Sequence, residues 1–174
     1  MNSILRKFLA AACIALAGIP AARADFNDGV VAYAMGDYQT AYNTMRSLAE
    51  TADHGYAQYY LGMMYLNGQG VEQSFEDAGT WFRKAAEHGI PQAQFKLATL
   101  YFNGQGLPRD YEYAFAWYSA GAAQGHQKSQ EAVAEARAKL SPEEFREAAK
   151  LSEKFIRDYG PKGKTGEAVE IKPD

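Results

Sequence analysis

An internal repeat at an offset of 36 residues constrains the fold of this chain more than any other feature of its sequence. Residues 57–71 align with residues 93–107 at that offset, and Trp81 aligns with Trp117. A fixed period of about 20 to 50 residues is typical of arrays in which each unit buries its apolar face against the next unit. The repeat therefore predicts a stack of similar units.

Each unit is predicted to contain two antiparallel helices. In residues 56–67, apolar or small side chains recur at helical spacing, and Gly68 can then adopt the left-handed conformation that ends a helix. Ser74 is a good N-cap for a second helix, which we expect to end near Gly89. The expected fold is all-α, because the same pattern returns in the following unit.

Four motifs in residues 56–91 resemble the Sel1-like repeat, a relative of the tetratricopeptide repeat with a longer loop between its helices. They are Leu-Gly-x-x-Tyr from Leu61, Asn-Gly-x-Gly-Val from Asn67, Ala-x-x-Trp from Ala78 and Ala-Ala-Glu-His-Gly from Ala85. Residues 92–127 form a second such unit, which departs from the pattern at Ala98, Leu107 and Gly121, and residues 25–55 resemble a plain tetratricopeptide hairpin. The resemblance implies a short right-handed α-solenoid.

The N-terminus has the pattern of a secretory signal peptide. Arg6 and Lys7 precede an apolar run over residues 8–19, and Ala22 and Ala24 supply the small residues of a cleavage site. We therefore expect residues 1–24 to be removed, with the mature chain beginning at Asp25 in the periplasm or outside the cell. The apolar run is shorter than the roughly 20 residues that span a bilayer, so no stable membrane insertion is expected.

The C-terminal part is predicted to close the array. Residues 128–159 contain helix-forming sequence, with Ser141, Pro142 and Glu144 arranged as a capping box with proline at the first helical position. We expect these C-terminal capping helices to cover the last apolar face, which a solenoid requires for solubility. Residues 160–174 have little apolar content and are expected to form a disordered tail.

Charge and cysteine content limit the classes of partner. Loss of the leader would leave 15 basic against 21 acidic residues, a net charge of −6, and no basic stripe with interleaved aromatics occurs. We therefore expect no nucleic-acid partner. The single cysteine, Cys13, lies inside the predicted leader, so the exported chain would depend on packing alone for stability.

The histidines and the glycine loops have structural interpretations that we favour over chemical ones. His54, His88 and His126 fall one to a unit, too far apart to share a metal ion, and we expect them to cap helix C-termini. The loops at residues 67–70 and 103–106 lack the Lys-Ser/Thr ending of a phosphate-binding loop, so they are expected to be turns.

No candidate for catalysis stands out in the sequence. It contains neither Ser-x-x-Lys nor Gly-x-Ser-x-Gly, and the mature chain would have no thiol. The carboxylate pairs Asp110 with Glu112 and Glu143 with Glu147 fall in first helical turns, where the helix dipole favours negative charge and nothing is expected to raise a pKa. We therefore expect no enzyme activity and no cofactor.

The resemblance also implies a binding surface. Carried over position by position from tetratricopeptide repeats, the concave groove would be lined by aromatic, aliphatic and amide side chains of the first helices, with one threonine. These are Phe26, Val30, Tyr33, Tyr56, Tyr59, Met63, Asn67, Gln92, Phe95, Thr99, Phe102 and Asn103. Aromatic anchors bounded by amides suit an extended protein or peptide segment, although individual members could instead pack against the next repeat.

Three functions remain open at this point. The leading hypothesis is an exported scaffold that binds a protein or peptide in this groove. Exported proteins with similar repeats imply an alternative, a scaffold for assembly of an envelope glycan such as peptidoglycan or exopolysaccharide, since aromatic faces also stack on sugars. Secreted cysteine-rich relatives imply a β-lactamase-like hydrolase, but the disulfide in each of their repeats has no counterpart here.

Overall fold

The computed structural model describes residues 25–161, and every regular element within that range is an α-helix. The eight helices are α1 (Phe26–Met35), α2 (Tyr38–Thr51), α3 (Gly55–Asn67), α4 (Phe75–Glu87), α5 (Pro91–Asn103), α6 (Tyr111–Ala123), α7 (Gln127–Arg137) and α8 (Pro142–Tyr159). The first six form three successive hairpins, and each hairpin packs against the next. The predicted all-α solenoid is confirmed.

The predicted leader, residues 1–24, lies outside the described residues, as do residues 162–174 of the predicted tail. None of the helices within residues 25–161 is both long enough and apolar enough to cross a membrane.

Local capping explains where several helices begin. The side chain of Ser74 accepts a hydrogen bond from the backbone N–H of Asp77 at the start of α4. Ser141 and Glu144 form the predicted capping box of α8. These caps satisfy backbone donors that have no partner inside the helix, and each is worth about 1 kcal/mol.

The two glycine loops are turns, as predicted, and they join neighbouring units. Gly68 and Gly104 end α3 and α5 in the left-handed conformation, with φ of 66° and 67°. A Cβ atom on Gly70 would lie 2.6 Å from the carbonyl oxygen of Tyr38, and one on Gly106 would overlap the backbone of Phe75. Each loop therefore lies directly on the N-terminus of the second helix of the preceding hairpin, where only glycine fits.

The repeated positions occupy equivalent places in the interior. Leu61 and Leu97, which align at the repeat offset, are both fully buried. Inside the α3–α4 hairpin, a Cβ atom on Gly62 would lie 2.5 Å from the ring of the buried Phe82. The absent side chain at Gly62 thus provides the space that Phe82 fills.

Helix α6 is the most enclosed element of the fold. Eight consecutive residues, 114–121, are buried, because α5, α7 and α8 all pack against α6. A helix segment buried on every side is expected to lack charge, and residues 114–121 contain no charged side chain. The two predicted capping helices are present, and they pack mainly against α6 and little against each other.

The C-terminus of α8 is anchored where the second and third hairpins meet. The buried side chain of Gln94 donates from Nε2 to the carbonyl oxygen of Tyr159 over 2.9 Å, and to that of Ala86 over 3.1 Å. Its Oε1 accepts a hydrogen bond from Gln124. The end of α8 is therefore held at the junction of α4 and α5.

Candidate functional site

The twelve side chains predicted to line a groove all lie on α1, α3 and α5, the first helices of the three hairpins. None of them is buried, and the most exposed aromatic member, Tyr56, is 49% exposed. We call this set the first-helix surface. Its members are Phe26, Val30, Tyr33, Tyr56, Tyr59, Met63, Asn67, Gln92, Phe95, Thr99, Phe102 and Asn103.

Aromatic rings meet where α1 adjoins α3. The ring of Phe26 lies 6.4 Å from that of Tyr56 and 5.9 Å from that of Tyr60. Tyr60 also lies 5.2 Å from Tyr33 and 5.8 Å from Tyr59. Tyr60 therefore occupies the centre of this cluster, although the sequence prediction did not include it. The sequence contained one sign of it, the adjacent Tyr59-Tyr60 pair, but the pattern taken from tetratricopeptide repeats includes only Tyr59.

A second group of rings lies in the third hairpin. Phe95 stands between Tyr118 and His126, at centroid distances of 5.5 Å and 5.4 Å. Phe102 packs edge-on against Tyr111 at 5.2 Å. The two aliphatic members, Val30 and Met63, pack partly on buried clusters of the core. The rings are thus fixed in place by their neighbours while part of each stays exposed.

Burial keeps the tyrosine hydroxyls of this region neutral. It raises the pKa of Tyr33, Tyr59 and Tyr118 above the usual value, since the charged form is poorly solvated there. The hydroxyl of Tyr33 donates to Oε1 of Gln69 over 2.8 Å. The hydroxyl of Tyr118 bonds with that of Thr99 over 3.1 Å, and a raised pKa makes none of the three tyrosines a better nucleophile.

Several polar members of the surface hold the chain itself. Asn67 donates from Nδ2 to Oε1 of Gln69 over 3.2 Å, and Asn103 makes the equivalent bond to Gln105 over 3.3 Å. The hydroxyl of Thr99 bonds to the carbonyl oxygen of Phe95 over 2.8 Å. The two asparagines thus fix the glycine loops at the edge of the surface, so its exposed rings are the main features available to a partner.

Two of the three histidines cap helix N-termini, so our expectation of C-terminal caps was wrong for them. Nδ1 of His54 accepts from the backbone N–H of Ala57, and Nδ1 of His126 accepts from that of Ser129, over 3.2 Å and 3.3 Å. The sequence placed these residues correctly between two helices but could not tell which helix they cap.

His88 is the C-cap residue of α4, and its side chain joins two hairpins. Its Nε2 lies 3.2 Å from a carboxylate oxygen of Asp53 in the turn between α2 and α3. This contact, together with a hydrogen bond from Gln58, lowers the pKa of Asp53. Among the described residues, no group of three or more His, Cys, Asp or Glu side chains is placed to hold a metal ion.

The carboxylates differ from expectation at two positions. Glu147 lies beyond the first turn of α8, whose acidic residues are Glu143 and Glu144. The second difference is a shifted pKa in α6. The pKa of Glu112 is raised, chiefly by burial and then by the charges of Asp110, Glu144 and Glu147. The last two belong to the start of α8, and their proximity to α6 could not be inferred from the sequence. Asp110 itself caps α6 by accepting from the backbone N–H of Tyr113 over 2.9 Å.

Two open clefts lie away from the first-helix surface. One, of about 630 Å³, is lined by Ala49, Glu50, Asp53, Lys84, Glu87 and His88. The other, of about 450 Å³, is lined by Arg83, Glu87, Tyr101, Pro108, Asp110, Tyr113, Trp117, Phe155 and Tyr159. The first opens between the second helices α2 and α4, the second is lined mainly by α4, α6 and α8, and neither contains a member of the first-helix surface.

Comparison with known families matches the α3–α4 and α5–α6 hairpins. The model of the Sel1 repeat matches residues 55–90 and again residues 91–126. The chain therefore carries two Sel1 repeats. Each Sel1 repeat begins one residue earlier than the sequence alone suggested, at Gly55 and at Pro91, which are the first residues of α3 and α5.

Solved structures show the same Sel1 architecture. A protective antigen of uropathogenic Escherichia coli that displays an SLR fold is 29% identical, with a TM-score of 0.74 over 86% of this chain and 34% of that one. A Sel1 repeat protein from Oxalobacter formigenes is 28% identical, with a TM-score of 0.61 over 77% of this chain and 56% of that one. This Sel1-repeat chain thus spans about a third and about half of these two structures. The comparison with curated proteins returned no match.

Proposed function

We propose that this protein is an exported scaffold that binds a protein or peptide segment along the first-helix surface. Sel1-repeat proteins generally act as scaffolds for protein–protein interaction. The observation that carries the proposal is the partial exposure of aromatic rings at successive positions on α1, α3 and α5. Rings already held by their neighbours lose little conformational entropy when a partner covers them, which favours their use as anchors.

We further propose that the protein is not an enzyme and requires no cofactor. Sel1-repeat proteins are typically non-catalytic scaffolds. In residues 25–161, the side chains of His54, His126, Ser74 and Asp110 serve as helix caps. Each of these side chains accepts a backbone hydrogen bond at the start of a helix, which supports a structural role for it.

Export is part of the same proposal and has its own test. Expression of the full chain in a bacterium with two membranes, followed by fractionation and N-terminal sequencing, should yield a periplasmic or secreted protein that begins at Asp25. A cytoplasmic protein that retains its first 24 residues would refute export but would leave the binding proposal standing.

The binding proposal is tested by removing its anchors. Affinity capture from envelope extracts would compare the wild-type protein with a Tyr59→Ala/Phe95→Ala variant. A second variant, Tyr56→Ala/Gln92→Ala, changes only exposed side chains and guards against loss of folding in the first. We expect both variants to lose the partners that the wild type retains.

The matched control is Tyr113→Ala, because Tyr113 is an exposed aromatic residue, 40% exposed, that lines the cleft beside α8. This variant should keep the partners. Partners that survive both changes on the first-helix surface but disappear with Tyr113→Ala would overturn the proposal. Partners that prove to be glycans would replace it with a role in envelope assembly.

A further inference from the structure

The cleft beside α8 has an aromatic floor. Five of its nine lining residues are aromatic, and three of these, Tyr101, Trp117 and Phe155, are buried. The ring centroid of Phe155 lies 4.3 Å from that of Trp117 and 5.9 Å from that of Tyr113. Tyr113 in turn lies 5.3 Å from Tyr101. The rings are therefore fixed by their neighbours, and the space of about 450 Å³ that they border is large enough for a small molecule.

Charged groups of both signs line the same cleft. Arg83 and Glu87 lie one turn apart on α4, and both are exposed. Residues at this spacing often form an ion pair. Here the guanidinium of Arg83 donates instead to the hydroxyl of Tyr101 over 2.6 Å, and the five ion pairs found in residues 25–161 involve neither Arg83 nor Glu87. The cleft is thus lined by a cation and an anion that do not pair directly with each other.

These groups define the chemistry of a ligand. An apolar or aromatic group suits the floor, a carboxylate suits the guanidinium of Arg83, which has N–H donors beyond the one bonded to Tyr101, and an ammonium group suits Glu87. The other carboxylate of the cleft, Asp110, already accepts the backbone N–H of Tyr113 at the start of α6. A free α-amino acid carries its ammonium and carboxylate groups on one carbon atom, so it can bridge two side chains that lie one helical turn apart.

We propose that the cleft beside α8 binds a free α-amino acid, with its carboxylate at Arg83, its ammonium group at Glu87 and an apolar or aromatic side chain against the rings of the floor. The site is separate from the first-helix surface, none of whose members lines this cleft. Binding of a small molecule here is therefore a further activity, independent of the protein partner.

Two other classes of ligand fit the cleft less well. A neutral sugar could stack on the rings, but it carries no charge to pair with either Arg83 or Glu87. An organic cation would pair with Glu87 and contact the aromatic floor, but the charge of Arg83 would repel it. Charges of both signs at one site favour a ligand that also carries both.

The test measures binding of L-phenylalanine to the mature chain, residues 25–174, by isothermal titration calorimetry. Two analogues each lack one charge: 3-phenylpropionate has no ammonium group and phenethylamine has no carboxylate. We expect L-phenylalanine to bind about tenfold more tightly than either analogue, because each analogue loses one charge-assisted hydrogen bond. In a Trp81→Phe background, the emission of Trp117 should change during the titration, which would locate the ligand in this cleft.

Charge variants assign each end of the ligand to one side chain. Arg83→Gln should weaken binding of L-phenylalanine about tenfold without weakening that of phenethylamine, and Glu87→Gln should do the same without weakening that of 3-phenylpropionate. Both variants change exposed side chains, so the fold should persist. The matched controls Glu76→Gln on α4 and Lys154→Gln on α8 each remove one exposed charge outside the cleft and should leave the affinity unchanged.

The outcomes separate this inference from the proposed scaffold function. Absence of saturable binding, binding no tighter than that of both analogues, or unchanged affinity in both charge variants of α4 would overturn the amino-acid site. Tighter binding of phenethylamine would replace it with a site for organic cations, and a response of Trp117 to methyl glucoside alone would replace it with a sugar site. Tyr113→Ala should weaken binding of L-phenylalanine yet keep the protein partners, whereas Tyr56→Ala/Gln92→Ala should do the reverse.

Discussion

Replacing Phe155 with alanine tests whether α8 is an integral part of the solenoid. Phe155 is 7% exposed, and its ring centroid lies 4.3 Å from that of Trp117 on α6 and 5.9 Å from that of Tyr113. Replacing a buried Phe with Ala costs about 3–5 kcal/mol, from lost transfer free energy and from the cavity that remains. Because Phe155 also lines an open cleft, water can enter the space, and we expect about 3 kcal/mol.

A loss of that size should be visible in thermal unfolding. For a chain of this length, about 3 kcal/mol corresponds to a decrease in Tm of roughly 6–12 °C. The measurement is circular dichroism at the helix band for the wild type, Phe155→Ala and the control Lys154→Ala, which changes an exposed residue of the same helix. The control should shift Tm by no more than about 1–2 °C.

Fluorescence provides a second, local measurement. The chain has two tryptophans, so in a Trp81→Phe background the emission comes from Trp117 alone, which is 3% exposed beneath α8. Phe155→Ala should shift this emission to longer wavelength, because water reaches the indole ring. An unchanged Tm together with an unchanged emission maximum would refute the packing of α8 on α6.

Three further predictions concern local structure. In urea denaturation, Gly106→Ala should lower the free energy of unfolding by at least about 2 kcal/mol more than Gly125→Ala does. Both glycines have positive φ, but only Gly106 touches another part of the backbone. Equal losses in the two variants would contradict the close contact between Gly106 and the start of α4. Burial, with the charge of a nearby lysine, lowers the pKa of His126 below its unfolded value near 6.5. The contribution of neutral His126 to the free energy of unfolding should therefore be fully present above about pH 6.5 and should be lost as the pH falls below it. The variant His126→Asn, which keeps an N-cap acceptor, should lose that part of the pH dependence of Tm. Gly62→Ala should destabilise by about 1–3 kcal/mol despite better helix propensity, because the new methyl group meets a buried phenylalanine ring; a more stable variant would show that the ring can move.

The elements that the sequence predicted correctly depend on local chemistry. Ser74 and Ser141 begin helices because a side-chain oxygen near an unpaired backbone N–H stabilises a start at that point in any fold. Gly68 ends a helix for a similarly local reason, its access to positive φ. Leu61 was predictable as an interior residue because helical spacing already assigns it to the buried face.

The features that escaped prediction depend on contacts between distant residues. Tyr60 joins the aromatic cluster only because α1 lies against α3, and the raised pKa of Glu112 arises from burial and from carboxylates that α8 brings near α6. His54 could have served either of the two helices that flank it, and its ring orientation, set by the surrounding packing, decides between them. Sequence periodicity carries no information on such pairings.

The most direct test of partner binding at the first-helix surface is to find where a partner contacts the chain. Photo-crosslinking in living cells would place p-benzoylphenylalanine at Tyr56 on α3 or, as a control, at Tyr113 on α6, two aromatic positions that are 49% and 40% exposed. We expect a discrete adduct with a protein from Tyr56 and none from Tyr113. Adducts that form from Tyr113 while Tyr56 stays unreacted would contradict this expectation.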